Sequence, residues 1–294
     1  LKDIINANLI ERANQRNRLS SRTTANAFGS LGKFDFLASI GYYYGNSRQS
    51  ATATEAIYAK DESLLRDIIT FQKDIIHTSR WNWLAGVTYH LSENDDIQLE
   101  YSGNTSSRHR DFITERTTDI GGVSELTNYD SRNSSKPDNH TLLANYSHEF
   151  AASSLNISAT YNYKQSNSDE SVFLMPDNIL SETNRNRSSY NMWTLQGDYS
   201  WKFLNKFQQN IGLYGGRSEN KSNADYTFMG LQRVNGSVSW GEFYYSSSWN
   251  VKGYAITPGV RFRYENQQSK SFIESDNSSF DKSYFNVVPQ LSIF

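Results

Sequence analysis

The sequence predicts an all-β protein, an antiparallel transmembrane β-barrel, on three observations. Apolar and polar residues alternate with a period of two over many segments, which places them on opposite faces of a strand. The alternating segments run about 9–11 residues, the length of a tilted membrane-crossing strand and longer than most soluble strands. Along the apolar faces the order is aromatic, aliphatic, aromatic, as two interfaces and a hydrocarbon slab require. A packed soluble core would put its largest rings in the middle.

The elements follow in chain order. Residues 1–19 read as an irregular segment leading into the first strand. Leu1 is not a methionine and no basic-then-apolar signal region follows it, so the chain is expected to be mature or a piece of a longer one. Arg22–Leu31 and Phe34–Tyr44 flank a turn near Gly32. Trp81–Leu91 and Ile97–Asn104 flank Ser92–Asp96, and Leu142–Phe150 precedes a turn at Ala151–Ser154. In the next segment Leu155, Ile157, Ala159, Tyr161 and Tyr163 face one way, and Asn156, Ser158, Thr160, Asn162 and Lys164 the other. Trp193–Phe203 and the weaker Phe207–Gly215, with Gln209 on its apolar face, flank Leu204–Lys206. Phe243–Val251 and Tyr254–Tyr264 flank Lys252–Gly253. Tyr284–Phe294 stands alone, so the count is five hairpins and an eleventh strand. An odd count with two free edges would leave backbone groups unpaired in lipid, so the chain is expected either to belong to a larger barrel or to hold one more strand.

Between the hairpins lie polar segments, roughly 46–79, 106–138, 165–190, 217–239 and 267–282. They read as long outer loops, opposite tight turns on the other side of the membrane, with strand extension beyond the membrane left open for parts such as Ala51–Tyr58 and Ile68–Ile76. Pro258 interrupts a strand that would be central in a barrel, and predicts a bulge. The aromatic girdle comprises Tyr42, Tyr44, Trp81, Trp83, Tyr163, Trp193 and Tyr264 at the long-loop side, and Trp201, Phe203 and Trp249 at the short-turn side.

Composition agrees with this and removes other classes. A net charge of −2 carries no bias toward nucleic acid. The absence of cysteine excludes disulfides, thiolate catalysis and cysteine zinc sites. The mean hydropathy of −0.69 suits a barrel, where only alternate strand residues touch lipid. No apolar run approaches the roughly 20 residues of a membrane helix.

Candidate chemistry is sparse. His77, His90, His109, His140 and His148 have no metal-ligand spacing, and His140 and His148 read as interfacial residues. Asp95–Asp96 are turn formers, Asp61–Glu62 lie in an expected loop, and the Asn-x-Ser/Thr triplets, such as those at Asn133 and Asn277, follow from the abundance of these residues. Gly121–Gly122 and Gly215–Gly216 precede no helix and make no phosphate loop. Phe173, Phe228, Trp240 and Phe272 read as loop aromatics, whose packing of the loops is the first expectation and gripping a ligand such as a sugar or siderophore the alternative. No nucleophile, base and orienting group come together, so no catalytic residue, metal or cofactor is assigned and an enzyme is not expected. The lumen-facing row holds the candidates: Gln196, Asp198, Lys202, Glu242, Arg261, Arg263 and Glu265, with Glu100, Asn162 and Lys164 alongside. Such a wall of both signs could hold a plug or pass a polar solute.

Two stretches carry a resemblance to a known family. G-V-R-F-R-Y-E at Gly259–Glu265 resembles a barrel strand of TonB-dependent receptors, in particular their outer-membrane β-barrel branch. Y-F-N-V-V-P-Q-L-S-I-F at Tyr284–Phe294 resembles a later strand, at a similar spacing. K-F-D-F-L-A-S-I-G-Y-Y-Y-G at Lys33–Gly45 looks like an early one. The resemblance implies a partial portion, about 10–12 strands, of a roughly 22-stranded barrel. It also implies an outer-membrane location, a plug domain and an inner-membrane energy-coupling protein as partners, and import of a scarce solute. Arg263 and Pro258 depart from the family pattern. A self-closed barrel of 10–12 strands acting as porin, adhesin or enzyme, and a soluble carbohydrate-binding β-sandwich, are the competing expectations.

Overall fold

The computed structural model describes residues 4–15, 19–58, 64–120, 123–203, 207–227, 230–251, 254–273 and 276–293. They form twelve strands and no helix: β1 (Ile4–Gln15), β2 (Leu19–Leu31), β3 (Phe34–Tyr58), β4 (Leu64–His90), β5 (Asp95–Ile120), β6 (Val123–Glu149), β7 (Ser153–Met175), β8 (Ile179–Phe203), β9 (Phe207–Tyr226), β10 (Gly230–Val251), β11 (Tyr254–Ile273) and β12 (Asp276–Ile293). All lie in one antiparallel sheet in sequence order. Among the described residues β1 pairs only with β2 and β12 only with β11, so the sheet is not closed.

Cross-strand partners share a face, so the register tests the alternation across the whole sheet. One row runs Ala7, Ala27, Ala38, Ala85, Tyr101, Leu142, Tyr161 and Trp193 from β1 to β8. Another runs Tyr199, Ile211, Tyr245, Val260 and Pro289 from β8 to β12. Every strand therefore contributes to one continuous apolar face, and none of the described residues covers it. Leu195 is 53% exposed, Ile157 40% and Leu213 63%, while Ile68, Ile76 and Ala224 are the buried hydrophobic residues among those described. The accessible surface is 19767 Å², where a compact globular chain of this size would expose about 13,000 Å². The second layer that a β-sandwich needs is absent from the described residues, which overturns the sandwich expectation.

Three other expectations are corrected. Residues 4–15 are not irregular but form β1, which makes the count twelve and even. The long polar segments are not loops over most of their described length: they continue the hairpins, the strand extension left open for Ala51–Tyr58 and Ile68–Ile76 applying to all five, and pair in register as far as Ile57↔Arg66, Ile120↔Val123 and Ile273↔Asp276. Here both faces are mixed, as in Ile68–Ile69 and Ile75–Ile76, so the two-residue period that marks a one-sided strand is lost. Phe173, Trp240 and Phe272 accordingly sit in strands. Strands β3–β11 span 20–27 residues, about 65–90 Å at 3.3 Å per residue, with short connections at both ends. Finally, Pro258 causes no bulge. The β10–β11 ladder skips from Ser246↔Gly259 to Trp249↔Ile256 without a register shift. Pro137 does the same between β5 and β6, where pairing skips from Thr105↔Asp138 to Arg108↔Ser135. Each proline keeps its other neighbour in step, Leu291 for Pro258 and Ser166 for Pro137. The expected turns near Gly32, at Ser92–Asp96 and at Ala151–Ser154 overlap the observed ones. Leu204–Lys206 and Lys252–Gly253 lie outside the described residues, as do Asp61–Glu62, Gly121–Gly122 and Phe228.

Gln209, the polar residue on the apolar face of β9, is satisfied internally: its amide donates to Ser247 Oγ at 2.7 Å and its carbonyl accepts from the Tyr245 hydroxyl. Several glycines make room for rings. A Cβ at Gly216 would meet the Trp193 carbonyl at 2.4 Å and the Trp240 ring at 2.8 Å, whereas one at Gly197 would meet nothing within 4 Å. Gly216→Ala is therefore expected to lower stability by about 1–3 kcal/mol, and Gly197→Ala to leave the denaturant midpoint near that of the parent. Equal midpoints for the two variants would contradict this packing.

Candidate functional site

The polar face of β8–β12 gathers most of the lumen-facing candidates. Register sets Gln196, Tyr214, Glu242, Arg263 and Asn286 in one row, Asp198, Gly212, Tyr244, Arg261 and Val288 in the next, and Thr194, Gly216, Trp240, Glu265 and Tyr284 on the other side. Six of the seven candidates thus occupy three adjacent rows on three of these five strands, β8, β10 and β11. Lys202 does not join them. It stands four residues beyond Asp198, about 13 Å along β8, opposite Gln208. Glu100, Asn162 and Lys164 belong to β5 and β7, away from the patch.

The charges pair across and along strands. Arg261 Nη1 lies 3.3 Å from Glu242 Oε1, with Glu242 only 9% exposed, and Arg263 donates to Glu265 Oε2 at 2.7 Å. Gln196 donates to Asp198 Oδ2 at 2.6 Å. Arg261 also lies over the Tyr244 ring, 5.9 Å from its centroid, and Tyr214 and Trp240 face each other at 6.3 Å. Sequence reasoning weighs Trp240 as a loop ring able to grip a ligand, but it does not single out Tyr214 or Tyr244 and does not place the three together. The signal that could find them is parity: carrying the alternation of β10 back from Phe243 puts Trp240 on the polar face. Rings flanked by paired charges form a surface that can stack a flat or sugar-like solute and hydrogen-bond its edge.

The girdle candidates lie on the opposite face and string into lateral ring contacts. Tyr42 packs on Trp81 at 4.7 Å, His140 sits between Trp83 at 5.7 Å and Tyr163 at 5.9 Å, Tyr199 stacks on Trp201 at 5.5 Å, and Phe207 meets Trp249 edge-on at 6.3 Å. Trp193, Phe203 and Tyr264 are about half exposed, and Tyr44 is half-buried opposite Ser79. The family-like stretches at Gly259–Glu265 and Tyr284–Phe294 prove to be neighbours, with Phe262↔Val287, Arg263↔Asn286 and Tyr264↔Phe285 in register.

At the β4–β5 hairpin tip, beyond the apolar band, lies a cluster of histidines and carboxylates. His90 Nδ1 is 2.6 Å from Asp96 Oδ1 and its Nε2 is 3.0 Å from Asp35 Oδ2. Two acceptors on both nitrogens hold the imidazolium, Asp35 foremost, and raise the His90 pKa. Asp95 accepts from the Ser92 hydroxyl at 2.6 Å and also bonds His148 and Tyr146, which pull its carboxyl down to about 2. Among the described residues no cluster of metal-ligating side chains forms.

No family model matches the chain, and no curated protein does. Among solved structures it is similar to the ferric yersiniabactin uptake receptor FyuA from Yersinia pestis, at 6% identity over 97% of this chain and 61% of that one, with a TM-score of 0.34. For the ferric preacinetobactin receptor BauA from Acinetobacter baumannii the figures are 9%, 97%, 62% and 0.36. For the outer membrane protease OmpT from Escherichia coli they are 11%, 88%, 95% and 0.29. The chain spans about three fifths of the length of the two receptors and nearly all of the protease.

Two outcomes follow from this geometry. Removing Arg261 leaves the mostly buried Glu242 without its charge partner, so Arg261→Ala is expected to cost about 1–3 kcal/mol and Glu242→Gln less, read from paired denaturant titrations. A raised His90 pKa gives stability that is complete below pH 6.5 and fades as pH rises through the folded value. The lowered Asp95 gives stability that is complete above pH 3.8 and fades as pH falls toward 2. An NMR titration of His90 should show a midpoint above 6.5 that falls in Asp96→Asn.

Proposed function

We propose that this chain forms the wall of an outer-membrane β-barrel that takes up a scarce solute, a receptor-transporter of the TonB-dependent type. The carrying observation is the continuous, uncovered apolar face on all twelve strands, backed by a polar face bearing the Glu242–Arg261 patch. An apolar surface of that extent needs a cover, and hydrocarbon is the cover that requires no second protein layer. Strands can cross lipid because the ladder satisfies their backbone groups, and only an edge cannot be tolerated there. β1 and β12 each have one unpaired side among the described residues, which favours a larger closed sheet to which further strands belong. The family resemblance adds the plug domain, the inner-membrane energy-coupling protein and the unidentified small solute as partners. On this reading the patch guides a polar solute or seats the plug, and catalyses nothing.

One observation favours a second reading. Twelve is an even number, and barrels of this size close on themselves, so β1 and β12 could pair directly to make a self-contained porin, adhesin or barrel enzyme.

Reconstitution separates these readings. In phospholipid vesicles, Ala159→Arg and Leu195→Arg should each cost about 2–4 kcal/mol of folding free energy, against much less for Thr160→Arg on the other face. Equal costs on both faces would refute a membrane wall. In cells, deletion of the complete reading frame should abolish uptake of a limiting nutrient, and a protonophore should have the same effect on the parent strain. Steady channels from the purified chain in a planar bilayer, with uptake intact after deletion, would instead establish the self-closed porin.

A further inference from the structure

The apolar face is not evenly tiled across β8–β11. Leu195, Gly215, Gly241 and Tyr264 form one row, and Gly197, Leu213, Phe243 and Phe262 the next. Three glycines therefore lie together among the large side chains of these four strands. Some glycines of the sheet are covered by rings, Gly103 by Trp83, Gly212 by Tyr244 and Gly216 by Trp240, and others, such as Gly41 and Gly86, by the side chains of Thr24 and Leu37. Gly197 and Gly241 are bare, with nothing within 4 Å of where a Cβ would stand, and Gly215 faces only backbone, the Trp240 carbonyl at 3.1 Å and Gly241 Cα at 3.6 Å. Together they floor an open trough of about 900 Å³, walled by Trp193, Leu195, Leu213, Phe243, Phe262 and Tyr264. The volume is that of a ligand site.

One end of the trough is charged. Arg217 and Ser239, a cross-strand pair, stand one row past Gly215 and Gly241 and line it as well. The Arg217 guanidinium bonds Glu219 Oε1 from Nε at 3.1 Å and from Nη2 at 2.9 Å. That leaves further N–H groups of its five-donor fork. A long apolar groove ending at a guanidinium and a hydroxyl complements a molecule with a hydrocarbon tail and an anionic head.

We propose that this trough seats one acyl chain of a phosphate-bearing membrane lipid, with the phosphate at Arg217 and Ser239. The proposal rests on the membrane-wall reading above. A chain lying on glycine backbone between rings touches protein on three sides, where a chain on the flat wall touches it on one, and dispersion grows with those contacts. The guanidinium adds selectivity for an anionic head through charge-assisted hydrogen bonds.

The test inserts the purified chain into vesicles of phosphatidylcholine with a minority of phosphatidylglycerol, extracts it in mild detergent and counts retained lipid by native mass spectrometry. The expected result is one retained phosphatidylglycerol per chain. Gly241→Leu, or the smaller Gly197→Val should the first fail to insert, is expected to lower that retention about tenfold. Arg217→Ala should keep a retained lipid but lose the preference for phosphatidylglycerol over phosphatidylcholine. Inserted parent protein without retained lipid, or inserted variants that retain phosphatidylglycerol as the parent does, would overturn the proposal and leave the membrane wall standing. A parent chain that does not insert would overturn both.

Discussion

A sheet one layer thick cannot hide either of its faces from the surroundings. In most β-proteins a second sheet or a helix covers the apolar side, and the solvent takes the other. Here the single layer carries apolar side chains along an unbroken band from Ala7 on β1 to Pro289 on β12. No described residue supplies that cover, and on the reading proposed above the covering medium is lipid from outside the chain. The remaining features follow from that demand. Rings gather at the borders of the band, where an amphipathic side chain can keep one end in each medium. A polar residue that enters it, Gln209, is bonded to Ser247 and Tyr245.

The same alternation that makes the band makes its reverse side. Because side chains point to opposite faces in turn, every lipid-side choice leaves a neighbour to fill the other wall. On β8–β12 those neighbours are Gln196, Asp198, Glu242, Arg261, Arg263 and Glu265, interleaved with Tyr214, Trp240 and Tyr244. Pairing of Arg261 with Glu242 and of Arg263 with Glu265 keeps the patch close to neutral while it stays rich in donors and acceptors. On the uptake reading proposed above, such a surface suits weak, successive contacts with a passing polar molecule, where an unpaired cluster of one sign would hold a counter-charge too tightly to release it.

How far the sequence can be read follows from where one face differs from the other. Segments such as Leu155–Lys164 and Trp193–Phe203 are legible because grease and polarity alternate through them without a break. β1 and the outer halves of β3–β12 are not, because both of their faces are mixed and strand and loop then look alike. Trp240 illustrates the loss at a single residue. It lies three positions before the clear alternation that starts at Phe243, so it reads as a loop ring although β10 carries it on the polar face beside Glu265. The charged candidates come from the same parity that places the apolar ones. Their grouping is not visible in the sequence, since it depends on register between strands, which only pairing fixes.

The two proline gaps bear on how this sheet can move. At Pro137 and at Pro258 one ladder loses two consecutive pairs, while the ladder on the proline's other side stays continuous. Each gap is a short perforation along a seam rather than a break in a strand. The Pro137 seam lies where the apolar band of β5 and β6 gives way to the polar extension. Bending there would tilt the projecting ribbon and leave every side chain on its own face, so that, in the membrane wall proposed above, the far end would rock without opening the part that meets lipid.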